Sequence, residues 1–244
     1  MITAGELHRR WRTLPIGTLD EVIGDGTCLI LAPHPDDESL GCGGLIARCV
    51  SVGRAPLVVI LTDGAGSHRS PAYPPERLRT VRAEEALAAV MALGLPPRRL
   101  EFLGEPDTAA PHGGAAFDAV VAKLLAMVRQ EAACTAILAP WRGDPHCDHE
   151  AAALIAAAVA DAAKIRHLGY PVWGWTLDPD TPVEGSPGGG WRLRIDTVQP
   201  VKQRAIQAHR SQYGRLITDD PAGFELPHAL LAAFEGPFET FLDA

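Results

Sequence analysis

Long apolar runs are missing from this chain of 244 residues, and no stretch approaches the roughly 20 uninterrupted apolar residues that a membrane-spanning helix needs. Basic charge is also short. Lys and Arg number 22 against 30 Asp and Glu, for a net charge of −8, and such a chain lacks the basic face that displaces counterions from nucleic acid. Cys28, Cys42, Cys49, Cys134 and Cys147 are odd in number and form no C-x-x-C pair, which argues against a disulfide framework and against a cysteine-only zinc site. No apolar segment follows Arg9 and Arg10, so neither a secretory nor a twin-arginine leader is readable and a reducing cytoplasm is the expected location. What remains is ordinary for a folded protein: 47% hydrophobic and 21% charged residues exclude disorder. A chain of this length can bury about 70–75% of its unfolded surface.

The apolar segments alternate between strand-like and helical periodicity. Short β-rich runs are predicted at 27–32, 56–62, 99–103 and 135–139. Helices are predicted at 41–52, 75–93, 116–131 and 149–163. Strand–helix alternation implies parallel strands joined by crossover helices, hence an α/β, Rossmann-like doubly wound sheet with helices on both faces. The last third is less regular: 170–176 and 191–196 read as strands, 199–213 as a helix, and 178–190, with three Pro and four Gly, as a loop. No internal repeat appears, and residues 1–244 read as a single domain. Ligands in such sheets sit beyond the carboxyl ends of the strands, which directs attention to the turns at 33–38, 63–69 and 140–148.

Two of those turns carry unusual clusters. Pro33-His34-Pro35-Asp36-Asp37-Glu38 follows the first predicted strand of the alternating core, and Asp144-Pro145-His146-Cys147-Asp148-His149 follows the strand at 135–139. Adjacent acids repel one another, and burying them without a cation is expensive. Histidine nitrogen with carboxylate oxygen is a normal zinc donor set. The first cluster alone could equally be a solvated acidic turn capping a helix. Two clusters on one rim of one sheet favour a single metal site.

These motifs resemble the PIG-L/LmbE-like family of zinc-dependent N-deacetylases. Supporting likenesses are Thr62-Asp63-Gly64-Ala65-Gly66, Arg82-Ala83-Glu84-Glu85, Phe102 to Asp107, and Ala208-His209-Arg210-Ser211-Gln212, so that the resemblance spans about residues 27–213. It implies one Zn2+ per chain, with another divalent ion such as Fe2+ as the alternative, held by His34, Asp37 and His149. It further implies Asp36 as general base, His146 as the oxyanion or acid partner, Asp148 as the residue that orients His146, and Arg82 with Asp107 as sugar contacts. The implied substrate is a small N-acetyl sugar or glycoconjugate. Cys147 departs from the family pattern, where proline is usual, and reads as an inert thiol.

Other readings compete. A two-metal phosphoesterase, another amidase, or a non-catalytic sugar-binding protein would suit the same scaffold, and the residues leave a homo-oligomer open. Gly41-Cys42-Gly43-Gly44 lacks the G-x-G-x-x-G spacing, and the acids before it would repel a pyrophosphate, so these glycines are assigned to close helix–sheet packing. Arg82 and Glu85, three apart on a helix, could pair with each other. Pocket walls are expected from 64–76, 104–116 and 178–190, and His209 and Ser211 are placed near the pocket on the late helix.

Overall fold

Each central strand alternates its side chains between two cores. In β3 (Thr27–Ala32), Cys28, Ile30 and Ala32 pack into one hydrophobic cluster while Leu29 and Leu31 pack into another. Val58 and Ile60 of β4 (Leu57–Thr62) join the first, and Leu57, Val59 and Leu61 the second. A strand apolar on both faces is the mark of a sheet covered on both sides. The computed structural model, which describes residues 1–131, 133–184, 188–214 and 216–244, supplies both layers. Helices α3 (Asp37–Ser51), α4 (Pro75–Ala92) and α7 (Gln199–Ala208) cover one face; α5 (Gly114–Gln130) and α6 (Cys147–Ala163) cover the other.

The remaining elements are α1 (Ala4–Thr13), α2 (Leu19–Ile23), α8 (His228–Ala233), and the strands β1 (Ile2–Thr3), β2 (Ile16–Gly17), β5 (Leu100–Glu105), β6 (Cys134–Pro140), β7 (Arg166–Tyr170), β8 (Pro182–Val183), β9 (Gly190–Arg194) and β10 (Phe238–Asp243). The main sheet runs β2-β9-β10-β7-β6-β3-β4-β5, while β1 and β8 pair separately. Strands β7, β6, β3, β4 and β5 are parallel, and β10 is antiparallel to both its neighbours. From β3 the chain winds outward through β4 and β5, then returns to add β6 on the opposite side of β3. The switch point therefore lies between β3 and β6, and the two histidine clusters leave the carboxyl ends of those two strands.

A Cβ on Gly41 would lie 2.2 Å from the Tyr170 ring, and one on Gly44 would lie 2.5 Å from Ile195. Both glycines thus serve close packing of α3. No helix of the described residues is long and apolar enough to cross a membrane.

The expected strand at 170–176 is displaced. The strand is Arg166–Tyr170, and Trp173–Thr176 forms a 3-10 turn. Pro171 cannot donate to a ladder, and the Asp144 carboxylate accepts the N–H groups of Val172, Trp173 and Gly174, drawing the chain off the sheet. The late helix ends at Ala208 instead of 213, because His209 and Ser211 turn inward to buried carboxylates. Residues 185–187 of the expected 178–190 loop lie outside the described residues.

Candidate metal centre and catalytic site

The turn after β3 is anchored by Thr62, whose N–H and hydroxyl both donate to Pro33 O at 2.9 Å. It delivers Asp37 to the first turn of α3, where a carboxylate is favoured by the helix dipole. The turn after β6 ends at His146, the N-cap of α6, so that Asp148 and His149 occupy the first turn of that helix. The rings of His34, His146 and His149 converge, with centroid separations of 4.6, 5.5 and 5.1 Å.

Asp37 Oδ2 is the meeting point. It lies 3.1 Å from His34 Nδ1 and 3.3 Å from His149 Nε2. The outer nitrogen of each ring faces a different buried carboxylate: His34 Nε2 is 3.0 Å from Asp148 Oδ2, and His149 Nδ1 is 2.9 Å from Asp144 Oδ2. An imidazole whose distal N–H is held by a carboxylate presents its proximal nitrogen as a lone pair, the arrangement that orients histidine on a metal.

Donor atoms of His34, His146 and His149 come within 4.8 Å of one another, close enough to share a cation, and Asp37 Oδ2 stands beside the first and last of these rings. His149 Nε2 is buried without a hydrogen-bond partner. Ligand atoms about 2.0–2.2 Å from a tetrahedral zinc stand about 3.3–3.5 Å apart, close to the separations that Asp37 Oδ2 makes with both nitrogens. The surrounding field also stabilises positive charge. Burial alone would lower the pKa of His34, yet Asp107, Asp148 and Asp37 hold it well above its ordinary value. His149 is likewise raised to about 9 against burial by Asp37 and Asp144. Burial alone would raise Asp37, but His149 and His34 hold it well below the carboxylate range.

Asp36 stands at the N-cap position of α3, yet its side chain makes no capping bond. Its carboxylate is available to the cavity, with Arg82 Nη2 donating to Oδ2 at 3.2 Å. Burial pushes its pKa up to about 6, with Asp37 adding to the rise and Arg82 opposing it. Arg82 is 2% exposed, and its two terminal nitrogens also donate to Gly64 O and Pro35 O. The pairing with Glu85 does not form; Glu85 instead accepts from the N–H and hydroxyl of Ser211.

His146 Nδ1 accepts the main-chain N–H of Asp148 at 3.2 Å, which leaves the ring proton on Nε2. Burial, followed by His34 and His149, lowers its pKa, so the ring is a neutral donor. Asp148, expected to orient His146, meets that ring through its main-chain N–H alone. The Asp148 carboxylate is occupied elsewhere, by His34 and by the N–H groups of Thr108 and Ala110. Asp107, on the segment so anchored, accepts from Gly66 N–H and lies 3.4 Å from His34 Nε2. Burial would raise Asp107, but the His34 contact holds it down at about 2.

A cavity of about 410 Å³ opens over this cluster. Gly66, Ser67, Asp107 and Gln212 give it polar lining, and Trp173, Phe224 and Leu226 apolar lining. The expected wall from 178–190 is absent among the described residues of that stretch: Val183, Glu184 and Gly188 line a different cavity beside Trp11 and Trp141. Cys147 is exposed, with Sγ 3.7 Å from Thr108 O, and its donor atom lies within 4.8 Å of those of His146 and Asp148. His209 lies beneath the site against Glu38, not in the pocket.

Residues 29–160 match the model of the PIG-L family, described as GlcNAc-PI de-N-acetylase. The chain belongs to that family. It is 25% identical over 192 residues to the diacetylchitobiose deacetylase of Thermococcus kodakarensis, covering 76% of this chain and 69% of that one. It is 28% identical over 247 residues to the 1D-myo-inositol 2-acetamido-2-deoxy-alpha-D-glucopyranoside deacetylase of Saccharomonospora viridis, covering 83% and 89%. The structure of N,N'-diacetylchitobiose deacetylase from Pyrococcus horikoshii superposes with a TM-score of 0.63 at 21% identity, over 87% of this chain and 78% of that one. That last likeness concerns the fold. As a PIG-L family protein the chain is an N-deacetylase, an enzyme acting on an amide bond.

Proposed function

We propose that this PIG-L protein removes the acetyl group from an N-acetylated amino sugar, with one zinc ion held by His34 Nδ1, Asp37 Oδ2 and His149 Nε2. The observation that carries this reading is the shared oxygen of Asp37, faced by two imidazole nitrogens whose opposite sides are held by Asp148 and Asp144. Bound there, a divalent ion supplies Lewis acidity, lowering the pKa of a water to about 7 and polarising an acyl oxygen.

The chain's own groups supply the rest. Asp36, with a pKa of about 6, is ionised at neutral pH yet basic enough to take the proton from the attacking water. His146 donates its Nε2–H to the carbonyl oxygen as negative charge develops there, and a neutral donor in a half-buried site serves that role without desolvating a cation. Water adds to the acyl carbon, the C–N bond breaks, and the proton held by Asp36 passes to the departing amine. Acetate and the free amino sugar are the products. Arg82 keeps the Asp36 carboxylate in place, and Asp107 is the remaining candidate for a sugar hydroxyl.

A pyranose has a polar rim and an apolar face. The cavity offers both, with Ser67, Asp107 and Gln212 lining it together with the Trp173–Phe224 pair, whose rings meet at 5.8 Å and 67°. All five cysteines are free, which suits the reducing cytoplasm. The test is acetate release from N-acetylglucosamine and its β-linked and inositol-linked derivatives, before and after chelation and after zinc is restored. Release that disappears with chelator and returns with zinc supports the proposal; release indifferent to chelator, or none from any of these compounds, contradicts it.

A further inference from the structure

Asp36 has φ 154° and ψ −29°, a conformation that residues bearing a Cβ rarely adopt. Something must hold it there. Its side chain is held from one direction by Arg82. Its main chain is held from another: the Asp36 N–H donates to Glu38 Oε2 at 3.0 Å, a short-range contact that fixes the peptide entering the strained residue. Glu38 is itself wholly buried, where a carboxylate without hydrogen-bond partners would be costly. Its second oxygen, Oε1, accepts the Ser39 hydroxyl at 2.6 Å and lies 3.0 Å from His209 Nε2.

His209 is 1% exposed and arrives from the end of α7, 171 residues along the chain. Burial would lower its pKa, but Glu38, Asp36 and Glu85 raise it, so it faces Glu38 as a donor. Its position is fixed in turn by the next residues. Ser211 donates from N–H and hydroxyl to Glu85 of α4, and Gln212 donates to Ser67 on the cavity rim. The late turn is thus fastened to α3, α4 and the post-β4 loop at once.

From this geometry we infer that Glu38 and His209 form a positioning pair for the base: His209 keeps Glu38 aimed, and Glu38 keeps the Asp36 peptide in its strained orientation so that the carboxylate faces the cavity. Neither residue touches the cavity; both act through Asp36. The inference rests on Asp36 being the base, and its test separates the two claims.

The experiment measures kcat, KM and bound zinc for Asp36→Asn, Glu38→Gln, His209→Leu, and each of the latter two combined with Asp36→Asn. Glu38→Gln keeps the volume of the side chain and carries the test should His209→Leu fail to fold. The expected result is a kcat loss of about 10- to 100-fold in Glu38→Gln and His209→Leu, with KM within about two-fold and zinc at one equivalent. In the Asp36→Asn background, the same changes should cost less than about two-fold further, because the group they position is gone. His209→Gln, which restores a donor to Glu38, should recover most of the loss. An unchanged kcat in Glu38→Gln overturns the pair, as does an equal fold-loss with and without Asp36. Should Asp36→Asn alone keep the wild-type rate, the base assignment falls and the positioning pair falls with it.

Discussion

His149 Nδ1 lies 2.9 Å from Asp144 Oδ2, and both side chains are fully buried. The same Asp144 carboxylate accepts three consecutive main-chain N–H groups from Val172 to Gly174. One acid therefore sets the tautomer of a candidate ligand and the path of the chain leaving β7.

Replacing Asp144 by Asn puts an amide NH2 among groups that all donate. The expected cost is about 10- to 100-fold in zinc affinity and about 3 kcal/mol in stability from unsatisfied buried donors. Competition against a chelator and urea unfolding measure the two separately. Intact affinity in the variant would show that Asp144 serves the fold alone.

His146 and Asp148 should separate cleanly. His146→Ala is expected to keep its zinc while losing about 10²- to 10³-fold in kcat, the usual size for an oxyanion donor. Asp148→Asn, by loosening His34 and the Thr108–Ala110 segment, should lose zinc affinity first. Paired metal analysis and steady-state kinetics check the contrast, and zinc loss in His146→Ala would place that ring among the ligands.

Arg82→Lys distinguishes a positioning role from a sugar contact. One ammonium cannot reach Gly64 O, Pro35 O and Asp36 Oδ2 together in the geometry the guanidinium uses. A kcat loss of about 10- to 100-fold with KM little changed is expected, from a lost charge-assisted bond. A raised KM with kcat intact would restore Arg82 to direct sugar binding.

Stability should also carry a pH signature remote from the metal. Burial lowers the pKa of His167 to about 4, and its Nε2 has no hydrogen-bond partner. The unfolded chain, with an ordinary histidine pKa of about 6.5, then binds the proton more readily than the folded one. Stability from this group is complete above about pH 6.5 and is lost as the pH falls towards 4, by about 1–3 kcal/mol after allowance for partial exposure. Unfolding midpoints from pH 7 to 4 should decline less steeply in His167→Asn; an identical slope would remove His167 as the cause.

The parallel core was legible because its signals are local. Ile30 and Leu31, or Val58 and Val59, are apolar on both faces, and turn residues close each run, so 27–32 matched its strand outright and 56–62 began one residue early. The convergence of the two histidine motifs was legible for the same reason: both sit next to strand ends, and the winding brings those ends together. What escaped depends on contacts distant in sequence. The Arg166–Tyr170 strand has little apolar pattern of its own, and the residues after it turn away because Asp144, 28 residues earlier, captures Val172 N–H. Asp144 itself lay inside the second motif, five residues before His149, but spacing alone could not distinguish it from Asp148 as the partner of that ring. Strand β10 (Phe238–Asp243), rich in the strand formers Phe238, Thr240 and Phe241, escaped notice because its place between β9 and β7 is set by pairing distant in sequence. The Glu38–His209 contact could not be anticipated from either segment alone.

The proposed cation sits against the inner face formed by His34 Nδ1, Asp37 Oδ2 and His149 Nε2. Anomalous diffraction at the zinc edge from crystals of the zinc-loaded protein tests it directly. The expected map has one strong peak within about 2.0–2.2 Å of all three atoms, with Asp148 still on His34 Nε2 and Asp144 on His149 Nδ1. A peak lying instead among His34 Nε2, Asp107 and Asp148, or on Cys147, would contradict it.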